Sequence, residues 1–318
     1  MRKKDFFEEH FESGGLKHYL LHYEEPGAPV LLVVHGGPGS AMSTLGHVMH
    51  KQWKGLFTLV FWDQRGSGKT LAANGDPMAY PITAEVLLED MHAITEHIKE
   101  RYNKKKIAVM GISWGSVLGT VYAHQHPENL LVYIGMVQIT CWKENWTKGY
   151  EKVVELAKND PKELAIVNSW GGEPPYKPDE DGKTPKQMDE LGKLKLKHKL
   201  VMGLTFKLTW DYFTSPTFRF NDMPFNKDSN KINKHLLEFL FEFDVQRDYP
   251  LEYKVPVSYI LGERDYQCVY TLAEEYFKKI KAPWKTIKVI PDASHNAIYD
   301  QPKAVALALS EIRAGIKE

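Results

Sequence analysis

The chain has 318 residues, 43% hydrophobic and 26% charged, and its 41 basic residues balance 41 acidic ones. That length supplies a large core without a metal or disulfide staple, and the composition excludes a mostly disordered chain. A formal charge of zero argues against a uniform attraction for nucleic acid or anionic membrane. The two cysteines, Cys141 and Cys268, lack C-x-x-C spacing and read as thiols of an intracellular protein. The N-terminal MRKKDFFEEHFESGG mixes charges with aromatics, and no stretch approaches the ~20 apolar residues of a membrane span. The expectation is a cytoplasmic chain with neither nucleic-acid nor membrane partners; the sequence specifies no oligomeric state.

In chain order, LKHYLLHYEE (16–25), VLLVVH (30–35) and FTLVFWD (57–63) read as strands. Residues 82–102 repeat apolar positions three and four apart and read as a helix. A strand at 106–113, a helix at 116–126 and a strand at 130–137 follow. Short apolar strands alternating with helices predict an α/β fold, a mostly parallel sheet with helices on both faces. Residues 139–248 break this rhythm: they carry helical segments at 143–160, 161–170, after Leu191 and at 231–247, with a Pro- and charge-rich loop at 171–186. Strand and helix alternation then resumes at 255–262, 271–282, 286–291 and 302–316. The expected organisation is one sheet domain, 1–138 plus 249–318, interrupted by a helical insertion, 139–248.

Gly111-Ile112-Ser113-Trp114-Gly115 sits where an apolar strand meets a helix, the setting a nucleophile elbow requires. A sharp turn there projects the Ser113 hydroxyl, and flanking glycines avoid collisions with the neighbouring strand and helix. His35-Gly36-Gly37-Pro38-Gly39 follows an earlier strand and suits an oxyanion loop, with backbone N–H donors expected from Gly37 and Trp114. His35 itself reads as a loop organiser. The triad order in such a fold is Ser, acid, His. Of the five histidines after Ser113, His295 alone follows the last predicted strand. The acid should follow the preceding strand, where LGERDYQC offers Glu263 and Asp265; Asp265 is preferred because the loop needs room to turn toward His295.

Other patterns resolve against function. GSGKT (66–70) lacks the P-loop glycine, since Asp63 stands five residues before the GK; Asp63 and Arg65 are expected to tie loops together. His47/His50 and His124/His126 lack a carboxylate or thiolate frame, so no metal site is expected. The run from Lys193 to Lys199 reads as a solvated helix face, offset by Asp179, Glu180 and Asp181. The Asn145-Trp146-Thr147 sequon carries no meaning in a cytoplasmic protein.

HGGPG, DQRGSG and GxSWGS, in this order, together with the GxxD segment and the late His, resemble the proline iminopeptidase (prolyl aminopeptidase) family of α/β-hydrolases. The resemblance implies an α/β-hydrolase with a helical cap, Ser113, Asp265 and His295 as triad, Gly37 and Trp114 as oxyanion donors, and no cofactor. It also implies release of an N-terminal residue, often proline, from short peptides or amides through an acyl-enzyme. Binding the substrate's protonated amine calls for carboxylates. Glu238, Glu242 and Asp211 are the cap candidates, with Glu144 a further cap glutamate, because Tyr266 stands where some members place a glutamate. The alternative reading is a carboxylesterase or lactonase with the same triad, its acyl pocket built from Trp142, Trp146, Trp210 and Phe213. A non-catalytic binding protein on the same scaffold is disfavoured by the completeness of the triad.

Overall fold

A computed structural model describes residues 5–177, 185–220 and 229–317. Asp179, Glu180 and Asp181 lie outside these described residues. Eight strands form one sheet: β1 (Phe7–Ser13), β2 (Leu16–Tyr23), β3 (Val30–Val34), β4 (Thr58–Asp63), β5 (Ile107–Ile112), β6 (Leu130–Met136), β7 (Val257–Gly262) and β8 (Lys285–Ile290). Their order is β1-β2-β4-β3-β5-β6-β7-β8. β1 and β2 form antiparallel pairs and every later pair is parallel. β3, β4 and β5 are buried at every position, as strands covered on both faces must be.

The helices are α1 (Gly46–Trp53), α2 (Gly68–Asn74), α3 (Ala84–Arg101), α4 (Trp114–Gln125), α5 (Trp142–Ala157), α6 (Pro161–Ser169), α7 (Lys186–Lys197), α8 (Phe206–Phe213), α9 (Ser229–Ile232), α10 (Lys234–Glu242), α11 (Val245–Asp248), α12 (Tyr270–Lys279), α13 (Ala297–Asp300) and α14 (Pro302–Gly315). Local chemistry sets several starts. The Thr83 side chain accepts the Val86 N–H at the head of α3. Asp160 accepts from Lys162 and Glu163, with Pro161 in the first turn of α6. Among the described residues, seven helices, α5 to α11, lie between β6 and β7. The helix expected over 231–247 is divided: α9, α10 and α11 are separate, and Asp244 caps α11 through the Gln246 and Arg247 N–H groups.

One core, including Trp53, Trp62, Trp114, Tyr133 and Tyr259, unites the sheet with its helices. A smaller cluster of Val153, Ala157, Val167, Leu191, Leu194 and Leu200 holds α5, α6 and α7 together. Among the described residues no helix is long and apolar enough to cross a membrane.

The segment after β4 ties loops together, as expected. Asp63 Oδ2 accepts the Lys69 N–H and the Ser43 hydroxyl, both at 2.9 Å. Arg65 meets Asp90 of α3 through two bonds of 2.6 and 2.7 Å, both residues nearly fully buried.

Candidate active site

The Gly-x-Ser-x-Gly turn is built by exclusion of side chains. A Cβ on Gly111 would lie 2.3 Å from the Gly115 carbonyl oxygen, and one on Gly115 would lie 2.0 Å from the Val34 oxygen. Only hydrogen fits at both places, so β5 and α4 close tightly about Ser113. Ser113 takes φ +53°, ψ −120°, a conformation L-residues seldom adopt and one that persists where the surroundings enforce it. Its N–H donates to the Met136 oxygen at 3.0 Å, and Ser116 Oγ accepts the Ile139 N–H at 3.0 Å, so β6 braces the turn.

The HGGPG loop lies against this turn. A Cβ on Gly36 would be 3.2 Å from Ser113 Cβ and 3.7 Å from its Oγ. Gly37 has φ +117°, and a Cβ there would stand 2.6 Å from the Gly39 nitrogen; a side chain is barred from the loop expected to supply an N–H. His35 organises it. Burial pushes His35 down to about 4, so the ring is neutral; Nδ1–H donates to the Gly36 oxygen at 2.8 Å and Nε2 accepts the Gln64 N–H at 3.1 Å. The Gln64 amide then donates to the His35 carbonyl and accepts from Trp114 Nε1 at 3.0 Å. Gln64 thus joins the two loops expected to hold the oxyanion donors, a role the sequence does not reveal because its partners, His35 and Trp114, come from two distant segments.

His295 and Asp265 meet across the ends of β7 and β8. His295 Nδ1 and Asp265 Oδ2 are 2.8 Å apart, while Asp265 Oδ1 accepts the Gln267 and Cys268 N–H groups at 2.8 Å each. Asp265 has no exposed surface. Burial by itself would depress His295, but the Asp265 carboxylate outweighs it, with help from Cys268, and holds the imidazole well above its ordinary value. Glu263, the alternative acid, instead accepts the Asp292 N–H at 3.2 Å and steadies the histidine loop. Gly262 makes the meeting possible, since a Cβ there would fall 2.5 Å from the Ser294 oxygen. Asp300 Oδ2 fixes the turn by accepting the Ser294 N–H and hydroxyl at 2.8 and 2.6 Å.

The sequence marks Cys268 only as a thiol of an intracellular protein. Its Sγ lies 3.9 Å from Ser113 Oγ, between nucleophile candidate and imidazole. Asp265, Cys268 and His295 bring ligand-type atoms within 4.8 Å of one another. They do not suit a metal, because His295 Nδ1 and both Asp265 oxygens already hold one another or backbone N–H groups, and the buried Lys195 ammonium adds a repelling charge nearby. The histidine pairs are dispersed: His50 bonds Glu25, and His126 stacks on His92.

The expected amine-binding carboxylates fall in different places. Glu238 is exposed and bonded to His235, and Glu242 is exposed and bonded to Lys177; the side chain of α10 that packs on Trp114 is Phe239. Both therefore lie on a solvated face of α10. The reason is helical: Leu236 and Leu240 take the inward face. Asp211 faces Tyr299, whose phenol is raised chiefly by burial and further by the Asp211 charge. Asp211 is paired with Lys207, whose ammonium lies 5.0 Å from the Tyr299 ring centre. Of the four aromatic pocket candidates, Trp210 and Phe213 are largely exposed, Trp142 leans on Phe241, and Trp146 donates to the Pro174 oxygen. The solvated reading of the Lys193–Lys199 run is corrected at Lys195, which is buried with Leu191 and Leu194 on the inward face of α7.

The eight-stranded, mostly parallel sheet with helices on both faces is the α/β-hydrolase fold. The sequence comparisons agree: a serine aminopeptidase (S33) family model matches residues 25–160. A probable aminopeptidase from Bacillus subtilis (strain 168) is 27% identical over 89% of this chain and 88% of its own. A proline iminopeptidase from Xylella fastidiosa (strain 9a5c) is 32% identical over 43% of each chain. The crystal structure of a proline iminopeptidase-related protein from Thermus thermophilus superposes with a TM-score of 0.67 at 22% identity, covering 98% of both chains. The chain therefore has the α/β-hydrolase fold and resembles the proline iminopeptidases, as its motifs implied.

Proposed function

We propose that the chain is a serine hydrolase that releases an N-terminal residue, such as proline, from small peptides or amides through an acyl-enzyme. The observation that carries this reading is the buried 2.8 Å bond between His295 and Asp265, set beside a Ser113 held at φ +53°. In this scheme His295 takes the Ser113 proton as Oγ attacks the scissile carbonyl, then returns it to the departing amine. Asp265 orients the ring and stabilises its protonated form without accepting the proton. The Gly37 and Trp114 N–H groups hold the oxyanion, and losing one such donor costs roughly 10²–10³ in rate. Water then attacks the acyl-enzyme by the same proton transfers in reverse.

Helices α5 to α11 act as the cap in this reading. Of Glu238, Glu242 and Asp211, Asp211 is the half-buried one, and Lys207 would have to release it for it to hold a substrate amine.

The test is hydrolysis of proline and alanine naphthylamides beside a panel of short-chain nitrophenyl esters, with fluorophosphonate labelling in parallel. Amide turnover that Ser113→Ala abolishes is expected, along with loss of labelling in Ser113→Ala and His295→Ala. Ester turnover alone would replace the aminopeptidase reading with the esterase one. Persistent labelling of Ser113→Ala would remove the nucleophile assignment.

A further inference from the structure

Lys195 is a buried cation that the proposed chemistry does not use. It is 6% exposed, although lysine is seldom buried without a partner carboxylate. Its ammonium lies 4.8 Å from the centre of the Trp146 ring, a favourable placement for a desolvated cation. A second contact explains how it fits. The point a Cβ on Gly149 would occupy is 2.3 Å from Lys195 Nζ and 3.0 Å from the oxygen of Tyr266. The ammonium therefore fills the space left by Gly149, next to the backbone of the residue that follows Asp265.

We propose that Lys195 is a positioning residue for the His295–Asp265 pair: a buried positive charge, carried by α7 and packed against the loop that holds Asp265, that offsets the Asp265 carboxylate and moderates how strongly the pair holds the His295 proton. The proposal rests on the reading of Ser113, Asp265 and His295 as a hydrolytic triad.

The charges around the pair are few. Burial pulls Lys195 down to about 8, against the upward pull of Asp265, Cys268 and Glu173. Those three are the acidic groups whose charge it feels. His295 feels Asp265 and Cys268 most strongly, and Ser113 faces it through the Cys268 contact. Lys152 is 5.9 Å from the outer Tyr266 ring, and Asp300 is occupied with Ser294. Among the described residues, Lys195 is accordingly the buried cation that the helical segment packs against the backbone of the acid loop. A positive charge disfavours the imidazolium, so its removal must raise the histidine.

The experiment is the pH dependence of kcat/KM, together with direct titration of the His295 ring by NMR in the substrate-free protein. In Lys195→Met, both the ring titration and the acid limb should move up by about one pH unit. Below the limb that is roughly a tenfold loss of kcat/KM, with the high-pH plateau kept. Thermal stability should hold or rise, because an apolar side chain replaces a buried charge. Gly149→Ala keeps the charge but displaces it, and should shift the ring in the same direction by less. An unmoved ring titration in Lys195→Met, or a downward shift, would overturn the proposal. So would a uniform loss of activity across pH that follows a fall in thermal stability. The ring titration needs no turnover, so failure of the hydrolase reading, seen as labelling that survives in Ser113→Ala, is distinguishable from failure at Lys195.

Discussion

Ser113 owes its conformation to what its neighbours lack. Gly115 touches the backbone of β3 at Val34, and no rotation of a methyl group could relieve a 2.0 Å approach to a carbonyl oxygen. Gly115→Ala should destabilise the protein by about 1–3 kcal/mol through overpacking, read as a lower urea midpoint with an unchanged slope. The surviving folded fraction should also label poorly with fluorophosphonate, because α4 would have to move away from the HGGPG loop. An alanine variant with full stability and labelling would show that β3 yields more easily than the close approach implies. The five residues of this turn, His295 and Asp265 were legible in sequence because each sits at the end of a strand, in a fixed chain order. Gln64, Cys268 and Lys195 were not. Each acquires its place only when distant segments meet, and the lysine was further hidden inside a run of alternating charge.

Among the elements, β1 is the clearest gain over the sequence. Its residues Phe7 to Ser13 alternate half-buried and exposed positions, a period of two, which the sequence's mix of charges and aromatics hides. The strand lies at the sheet edge, held to the rest by more than its ladder. Glu9 faces His22 at 3.0 Å, His97 of α3 at 2.9 Å and Arg101 at 3.3 Å. The His22 bond, then His97, lower Glu9 to about 2 against the opposing effect of burial. A carboxyl depressed in the folded state contributes stability that is present above its unfolded value of 4.5 and lost as pH falls through about 2. Hydrogen-exchange protection of β1, taken relative to the intrinsic amide rate at each pH, should therefore fall between these limits before that of the parallel strands, and Glu9→Gln should remove that fall. Equal protection of β1 and β5 throughout the acid range would contradict this. α1 and α2 also went unread, being short helices without strong apolar periodicity, whereas α3 and α14 were long enough to declare themselves.

Across the whole molecule, the helices between β6 and β7 are fastened to the sheet domain at the acid loop. Asn145 of α5 accepts the Val269 N–H at 2.6 Å and donates to the Cys141 oxygen at 3.0 Å, and the Tyr266 N–H donates to the Leu200 oxygen at 2.8 Å. The sequon asparagine is thus a buried connector. Asn145→Ala would leave a buried backbone N–H unpaired, which costs about 1–3 kcal/mol. In the proposed hydrolase it should also lower kcat, since loosening the loop by about 1 Å can cost roughly 10²-fold. Chemical denaturation and steady-state kinetics would separate the two effects; a stable, fully active variant would show that the loop is held elsewhere.

The same fastening bears on how such a protein could be altered. Asp265 sits on a loop whose backbone is bonded to residues of both the sheet domain and the helical segment, so the two parts share a border instead of merely facing each other across a cavity. Exchanging the helical segment for that of a relative, a natural route to new substrates, would be more than a change of lining. A graft would keep the acid in place only if it brought its own counterparts of Asn145 and Leu200.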